Sequence, residues 1–106
     1  MTGYIYKITR NSDGMVYVGQ TIRKKVEYRW SQHCNKPTNS KIHDSLRSYG
    51  REAHTFEVIE KLDVDCSKED FANILVELEN HYIHMFNSIE HGFNKTKASK
   101  SIRYKH

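Results

Sequence analysis

Two tyrosines near the start of the chain, Tyr6 and Tyr17, have a spacing that could bring their hydroxyl groups together. The turn-forming residues 11–14 separate two runs rich in β-branched and aromatic residues, which predicts a β-hairpin. In the register that this turn sets, Tyr6 lies opposite Gly19 and Tyr17 lies opposite Ile8. Because side chains alternate between the faces of a strand, the two tyrosines then share one face as diagonal neighbours.

Gly19 gives this face a second feature, since glycine in a strand often marks the close approach of another group. The space opposite Tyr6 would be empty, and a ligand could approach the phenol there. The alternative is that both tyrosines are ordinary strand residues and that Gly19 only ends the strand.

Arg29 and His33 are four residues apart in a segment with helical periodicity, so they share a helix face. A guanidinium at this position could hold a phosphate, and an imidazole could move a proton near neutral pH. An arginine and a histidine on a helix surface can equally be ordinary solvent-facing residues.

Glu79 stands beside apolar residues, with Leu75, Tyr82 and Ile83 within one helical turn. Acidic side chains seldom occupy such a place without a partner. A divalent cation or an arginine would satisfy the carboxylate, or the side chain could reach outward to solvent.

Sequence patterns predict the elements that position these residues. Strands are expected over residues 4–9, 15–19 and 55–61, and helices over residues 26–34, from about residue 39 to 49, and after the capping residue Ser67. The second helix should bury Ile42, Leu46 and Tyr49, with Gly50 as its left-handed stop. The apolar positions of the last helix are Phe71, Ile74, Leu75, Leu78, Tyr82, Met85 and Phe86. The expected fold class is α+β, a small three-stranded antiparallel sheet flanked by three or more helices. Its single domain spans residues 1–94 and is followed by a basic tail, 95–106.

The net charge of +4 is unevenly distributed along the 106 residues. Residues 1–51 carry +7, residues 52–94 carry −8 and residues 95–106 carry +5. The two basic regions suit a polyanion such as nucleic acid, whereas the acidic region would face away from it or hold a cation. No apolar run is long enough for a membrane span and no signal-peptide core is present, so we expect an intracellular protein with reduced cysteines, without membrane association.

The chain resembles the GIY-YIG nuclease superfamily, most closely the catalytic domains of phage intron-encoded homing endonucleases. Its two defining motifs are matched by Tyr4-Ile5-Tyr6 and Tyr17-Val18-Gly19, with the eleven-residue interval between tyrosines that such domains show. Three later motifs follow in order as EYRWSQH, LENHYI and HGFN. The resemblance assigns the family's site residues to Tyr6, Tyr17, Arg29, His33, Glu79 and Asn94.

This resemblance implies a DNA endonuclease that leaves 5′-phosphate and 3′-hydroxyl ends. Tyr6 would be the general base, aided by Arg29, His33 or Tyr17, and Glu79 would hold one divalent ion, Mg²⁺ or Mn²⁺. The residues grouped with substrate binding are Gly19, Lys24, Lys25 and Asn94. For Asn94, we expect a role in ordering the end of the fold instead of a contact with substrate.

The sequence departs from the family pattern at Tyr4, where a glycine usually precedes Ile-Tyr and Gly3 is displaced by one position. Three alternatives stay open: a DNA-binding module without turnover, a small basic structural protein, and a restriction or repair nuclease in place of a homing-type one. We expect a monomer.

Overall fold

The computed structural model describes residues 1–35 and 40–98 of the chain. Within these ranges it contains three strands, three α-helices and one short 3-10 helix. They follow one another as β1 (Thr2–Arg10), β2 (Val16–Thr21), α1 (Val26–Asn35), α2 (Lys41–Tyr49), the 3-10 helix (Arg51–Ala53), β3 (His54–Asp63) and α3 (Lys68–Met85). The predicted α+β class is confirmed. Residue 39, expected to start the second helix, and residues 99–106 of the tail lie outside the described residues.

The strands form one antiparallel sheet in the order β2-β1-β3, so β1 is central. The predicted hairpin register is confirmed, with Tyr6 opposite Gly19 and Ile8 opposite Tyr17. The turn uses Gly14 at φ +75°, a backbone conformation that glycine adopts without steric cost. Tyr6 therefore lies in the middle of the sheet, where strands flank it on both sides.

The pairing of β1 with β3 is interrupted by a β-bulge. Ile5 pairs with Glu60 and Tyr6 with Val58, which leaves Ile59 as an extra residue on β3. The extra residue changes which face the later side chains occupy. Ile59 and Leu62 would otherwise point to opposite faces, yet both pack against the same apolar cluster.

Each face of the sheet packs against its own apolar cluster. The cluster beneath α3 is formed by Ile5, Val16, Val18, Phe71, Leu75 and Ile83. The cluster on the other face, beneath α1 and α2, is formed by Tyr6, Ile8, Ile42, Leu46 and Phe93. Tyr6 and Tyr17 thus belong to the face that α1 and α2 cover. Among the described residues, no helix is long and apolar enough to cross a membrane.

Three predicted core positions are wrong. Tyr49 is 57% exposed, because the buried residues of α2 are Ile42, Ser45 and Leu46, and the Arg10 guanidinium lies over its ring at 4.4 Å from the centroid. Ile74 and Met85 are also exposed, since the buried face of α3 is the row at four-residue intervals from Phe71 to Ile83. The helix turns about 100° per residue, so both side chains lie off that row. The cap predicted at Ser67 is confirmed, because its hydroxyl accepts from the backbone N–H of Asp70.

The outer edge of β2 is closed by the chain that follows α3. The side-chain amide of Asn94 accepts from the Val18 N–H at 2.9 Å and donates to the Val18 carbonyl at 2.9 Å. Phe93 N–H donates to the Val16 carbonyl at 3.0 Å, and a Cβ on Gly92 would lie 2.3 Å from that same oxygen. Asn94 therefore takes the place of a neighbouring strand.

We predict that Asn94→Ala lowers the free energy of unfolding by about 1–3 kcal/mol, because it leaves buried backbone groups of Val18 without partners. Chemical denaturation measures the change, and Asn35→Ala, at an exposed position, is the control. Unchanged stability in Asn94→Ala would contradict the structural assignment.

Candidate active site

The Tyr6 side chain fills the space that Gly19 leaves on the opposite strand. A Cβ on Gly19 would lie 2.5 Å from Cζ and Oη of Tyr6 and 3.0 Å from Tyr17. Tyr6 is fully buried, with its ring packed against Tyr17, His33 and Phe56. The expectation of an open space for a ligand is therefore wrong, because the phenol itself occupies the vacancy. Glycine is required so that the Tyr6 ring can lie across β2.

Two side chains of α1 converge on the Tyr6 hydroxyl. Arg29 Nε donates to Tyr6 Oη at 3.1 Å, and His33 Nε2 lies 2.7 Å from the same oxygen. The phenol oxygen accepts from Arg29. In the tautomer that carries its hydrogen on Nδ1, His33 Nε2 accepts the proton of the Tyr6 hydroxyl. The predicted shared face of Arg29 and His33 is borne out by this geometry, with His33 fully inside the protein.

The electrostatics of the pair favour a neutral phenol and a neutral imidazole. Burial raises the pKa of Tyr6 far above its ordinary range, and the nearby Tyr17 adds to this effect while Arg29 opposes it. Burial, followed by the positive charge of Arg29 and by His43, lowers the pKa of His33 to about 3. His33 is therefore neutral throughout the neutral pH range.

His43 joins this cluster from α2, and the sequence analysis missed it. Its ring stacks on that of His33 with centroids 5.3 Å apart, and its Nδ1 pairs with the hydroxyl of Ser40, the residue that caps α2. Burial lowers the pKa of His43 as well. The available signal was its position beside Ile42, on the edge of the predicted inward face of the helix.

Tyr17 completes the aromatic group around His33. Its ring meets the His33 ring edge-on, with centroids 5.3 Å apart, and lies 6.3 Å from the Tyr6 ring. Unlike Tyr6, it is only half-buried. The structure thus brings together four of the sequence-predicted site residues: Tyr6, Tyr17, Arg29 and His33.

Glu79 lies on α3, the helix that packs on the other face of the sheet. It lies within the buried row of that helix, four residues after Leu75 and four before Ile83, and is only 4% exposed. Its negative charge contributes to the raised pKa of Tyr6, so the carboxylate acts on the phenol electrostatically. The sequence placed Glu79 at the border of the apolar stripe, whereas it lies in the middle of the buried face.

The donor set around Glu79 fits one kind of metal ion. Within residues 1–35 and 40–98, no group of three or more His, Cys, Asp or Glu side chains could enclose a metal. Mg²⁺ commonly binds through one or two carboxylates while waters and substrate phosphates complete its coordination. A single buried carboxylate suits such an ion and does not suit a structural zinc site.

The residues grouped with substrate binding are not all at the phenol. Lys24 and Lys25 are exposed in the loop before α1, which begins one residue later. Asn94 directs its amide to the outer edge of β2, where Val18 uses both its donor and acceptor. Gly19 lies at the site, where its lack of a side chain leaves room for the Tyr6 ring.

A family model described as the GIY-YIG catalytic domain matches residues 2–97. The chain belongs to the GIY-YIG family. The match runs three residues beyond the expected domain end at residue 94, and it includes every site residue described above.

Two solved structures are similar to the chain. A mutant of the catalytic domain of intron endonuclease I-TevI has a TM-score of 0.76 and 25% identity, covering 93% of this chain and 98% of that one. The catalytic domain of homing endonuclease I-TevI has a TM-score of 0.69 and 26% identity, covering 89% and 98%. A search of curated proteins found no match. Family and fold together define a nuclease of the GIY-YIG type.

We predict that the free energy of unfolding falls as the pH drops from about 6.5 towards 3. The folded protein keeps His33 neutral down to about pH 3, whereas the unfolded chain binds that proton near the ordinary value. The slope from this one proton is up to about 1.4 kcal/mol per pH unit. Denaturation at several pH values measures it.

His33→Gln is the control for that measurement. It removes the imidazole that binds the proton, and it leaves in place the other groups that bind protons below neutral pH. Its stability should change less with pH in this window. If parent and variant have parallel profiles, the lowered pKa of His33 is refuted.

Proposed function

We propose that this chain is a divalent-metal-dependent DNA endonuclease that cuts phosphodiester bonds to 5′-phosphate and 3′-hydroxyl ends. The observation that carries the proposal is the hydrogen-bonded series Arg29–Tyr6–His33, in which the phenol and the neutral imidazole are buried and the guanidinium is partly exposed. The similarity to two structures of the catalytic domain of I-TevI, an intron-encoded homing endonuclease, supports this reaction.

In the proposed reaction, Tyr6 and His33 act together as the proton acceptor. Tyr6 Oη takes a proton from the attacking water as its own proton passes to His33 Nε2, and the water oxygen forms the new bond to phosphorus. The bond from phosphorus to the 3′ oxygen breaks in the same step, and the leaving 3′ oxygen takes a proton from solvent. Because burial raises the pKa of Tyr6, almost no phenolate is present at neutral pH. The 2.7 Å contact with the neutral His33 would let the phenol pass on its own proton as it takes the proton of the water.

Arg29 has two parts in this reaction. Its Nε holds the phenol oxygen and its Nη1 donates to Gln32 at 3.3 Å, so three of its five N–H donors remain for a phosphate. Tyr6 is fully buried beneath this guanidinium, so water reaches the phenol only after Arg29 shifts towards the substrate. A phosphate that attracts Arg29 would thereby expose the Tyr6 hydroxyl to water.

Glu79 would hold the metal ion together with waters and phosphate oxygens. When bound, a divalent cation neutralises the charge that develops on the phosphate and the leaving oxygen. The protein positions Glu79 for this purpose by fixing it in the central row of α3, between two buried aliphatic residues.

A DNA-binding module without turnover is the weaker candidate, because a buried phenol–imidazole pair aligned for proton transfer contributes nothing to DNA binding. Among nuclease classes, the homing type is favoured over restriction and repair types by the similarity to the catalytic domain of a homing endonuclease.

The test of the proposed function is cleavage of supercoiled plasmid DNA. We expect cleavage with Mg²⁺ or Mn²⁺, loss of cleavage with EDTA, and loss in Glu79→Gln, which keeps the shape of the side chain. Glu77→Gln, at an exposed position of the same helix, is the matched control. Cleavage by Glu79→Gln at the rate of Glu77→Gln would overturn the metal-site assignment.

We also predict that Arg29→Ala and Lys25→Ala weaken the enzyme in different ways. Arg29→Ala should lower the single-turnover rate at saturating DNA by about 10²–10³, because it removes a transition-state donor. Lys25→Ala, like Lys24→Ala, should weaken binding and leave that rate nearly unchanged, because an exposed lysine contacts phosphate only. Equal losses of affinity with unchanged saturated rates would contradict the role of Arg29.

A further inference from the structure

The segment after the last family motif is held at two points on the domain. We name residues 94–98 the C-terminal strap. At its first point, the Asn94 amide is paired with both backbone groups of Val18. At its second point, the Asn80 side chain donates to the Ala98 carbonyl at 3.2 Å and accepts from the Ala98 N–H at 2.7 Å.

Both points adjoin residues of the candidate active site. Val18 lies between Tyr17 and Gly19 on β2, and Asn80 directly follows Glu79 on α3. The strap therefore runs from the strand that carries one phenol to the helix that carries the acidic residue. Consecutive Cα atoms are about 3.8 Å apart, so no Cα of the strap lies more than about 8 Å from one of its two ends.

The side chains between the two points are basic and exposed. Lys95 and Lys97 are both exposed, only Thr96 separates them, and the strap contains no acidic residue. The preceding part of the chain, residues 52–94, carries a net charge of −8. Two exposed positive side chains thus follow an acidic stretch of the sequence.

The Asn80 contact has the geometry of a backbone pairing made by a side chain. An amide that donates to the carbonyl and accepts from the N–H of one residue restrains both the position and the orientation of that residue's backbone. Asn80 is itself only partly buried, so core packing does not explain the contact. What it fixes is the direction in which Lys97, the residue before Ala98, leaves the surface.

We propose that the C-terminal strap binds DNA backbone phosphates through Lys95 and Lys97, and that Asn80 is the positioning residue that holds the strap beside Glu79. This inference rests on the proposed function, because DNA is the polyanion that the site would cut. Preordered lysines would lose less side-chain and backbone freedom on binding than lysines on an unrestrained segment.

The first experiment measures binding of a fluorescent DNA duplex by anisotropy over a range of NaCl concentrations, in the Glu79→Gln background. For Lys95→Ala/Lys97→Ala we expect the slope of log K against log salt to fall by about 0.9 for each lost phosphate contact. The matched control is Lys61→Ala/Lys68→Ala, which removes the same charge from exposed positions elsewhere. Lys68 begins α3, about 16 Å along the helix from Glu79.

The second experiment separates positioning from charge. Asn80→Ala leaves the net charge unchanged, yet it should lower both the salt slope and the single-turnover rate at saturating DNA in the otherwise parental protein. Circular dichroism melting checks that it folds. A parental slope in Asn80→Ala overturns the positioning role, and equal slopes in the two double-lysine variants overturn the strap as a binding element.

These outcomes are independent of the proposed function. If the parent cuts DNA but the strap variants match the control, the strap inference fails and the nuclease stands. If the strap variants lower the slope while no preparation cuts DNA, phosphate binding by the strap stands and the nuclease proposal fails.

Discussion

The site depends on the hydrogen bond between Tyr6 and His33, which is 2.7 Å long and shielded from water. Burial disfavours the charged form of each partner, so the pKa of the phenol rises and that of the imidazole falls. Neither group is charged at rest, and the two are in direct contact. The remaining features of the site serve to keep this pair buried and correctly directed.

The sheet sets the direction of the Tyr6 side chain, and the helices bury it. Tyr6 lies on the central strand, where Gly19 on one neighbour allows its ring to lie flat across the backbone and Phe56 on the other packs against it. α1 then adds Arg29 and His33 from above, and α2 adds His43 behind His33. A residue larger than glycine at position 19 would displace the phenol from both of its partners.

Sequence reasoning reached most of this arrangement where local rules apply. The turn and the two-residue period of the strands determine which residues face each other, so the opposition of Tyr6 and Gly19 was predictable. What fills the space between Tyr6 and Gly19 was not predictable, because it depends on how the Tyr6 ring packs beneath a helix. His43 escaped for a related reason: ten positions separate it from His33, and only the packing of α2 on α1 brings them together.

Glu79 and Asn80 illustrate the same limit on adjacent positions. Apolar neighbours at helical spacing mark Glu79 as unusual, but only the observed row from Phe71 to Ile83 shows that it is central. The contact between Asn80 and Ala98 joins positions eighteen residues apart, after the chain has passed along the edge of β2. No periodicity encodes such a contact, since it forms only when the strap and α3 are both in place.

The closed edge of β2 also bears on how copies of this protein meet each other in solution. Unpaired strand edges are the usual templates for aggregation. The Asn94 amide occupies that edge at Val18. The opposite edge of the sheet is β3, whose one strand neighbour in the described chain is β1. β3 carries the exposed charges of Glu57, Lys61 and Asp63, which are costly to bury against a second copy. The asparagine that ends the fold thus also removes one of the two strand edges on which a second copy could pair.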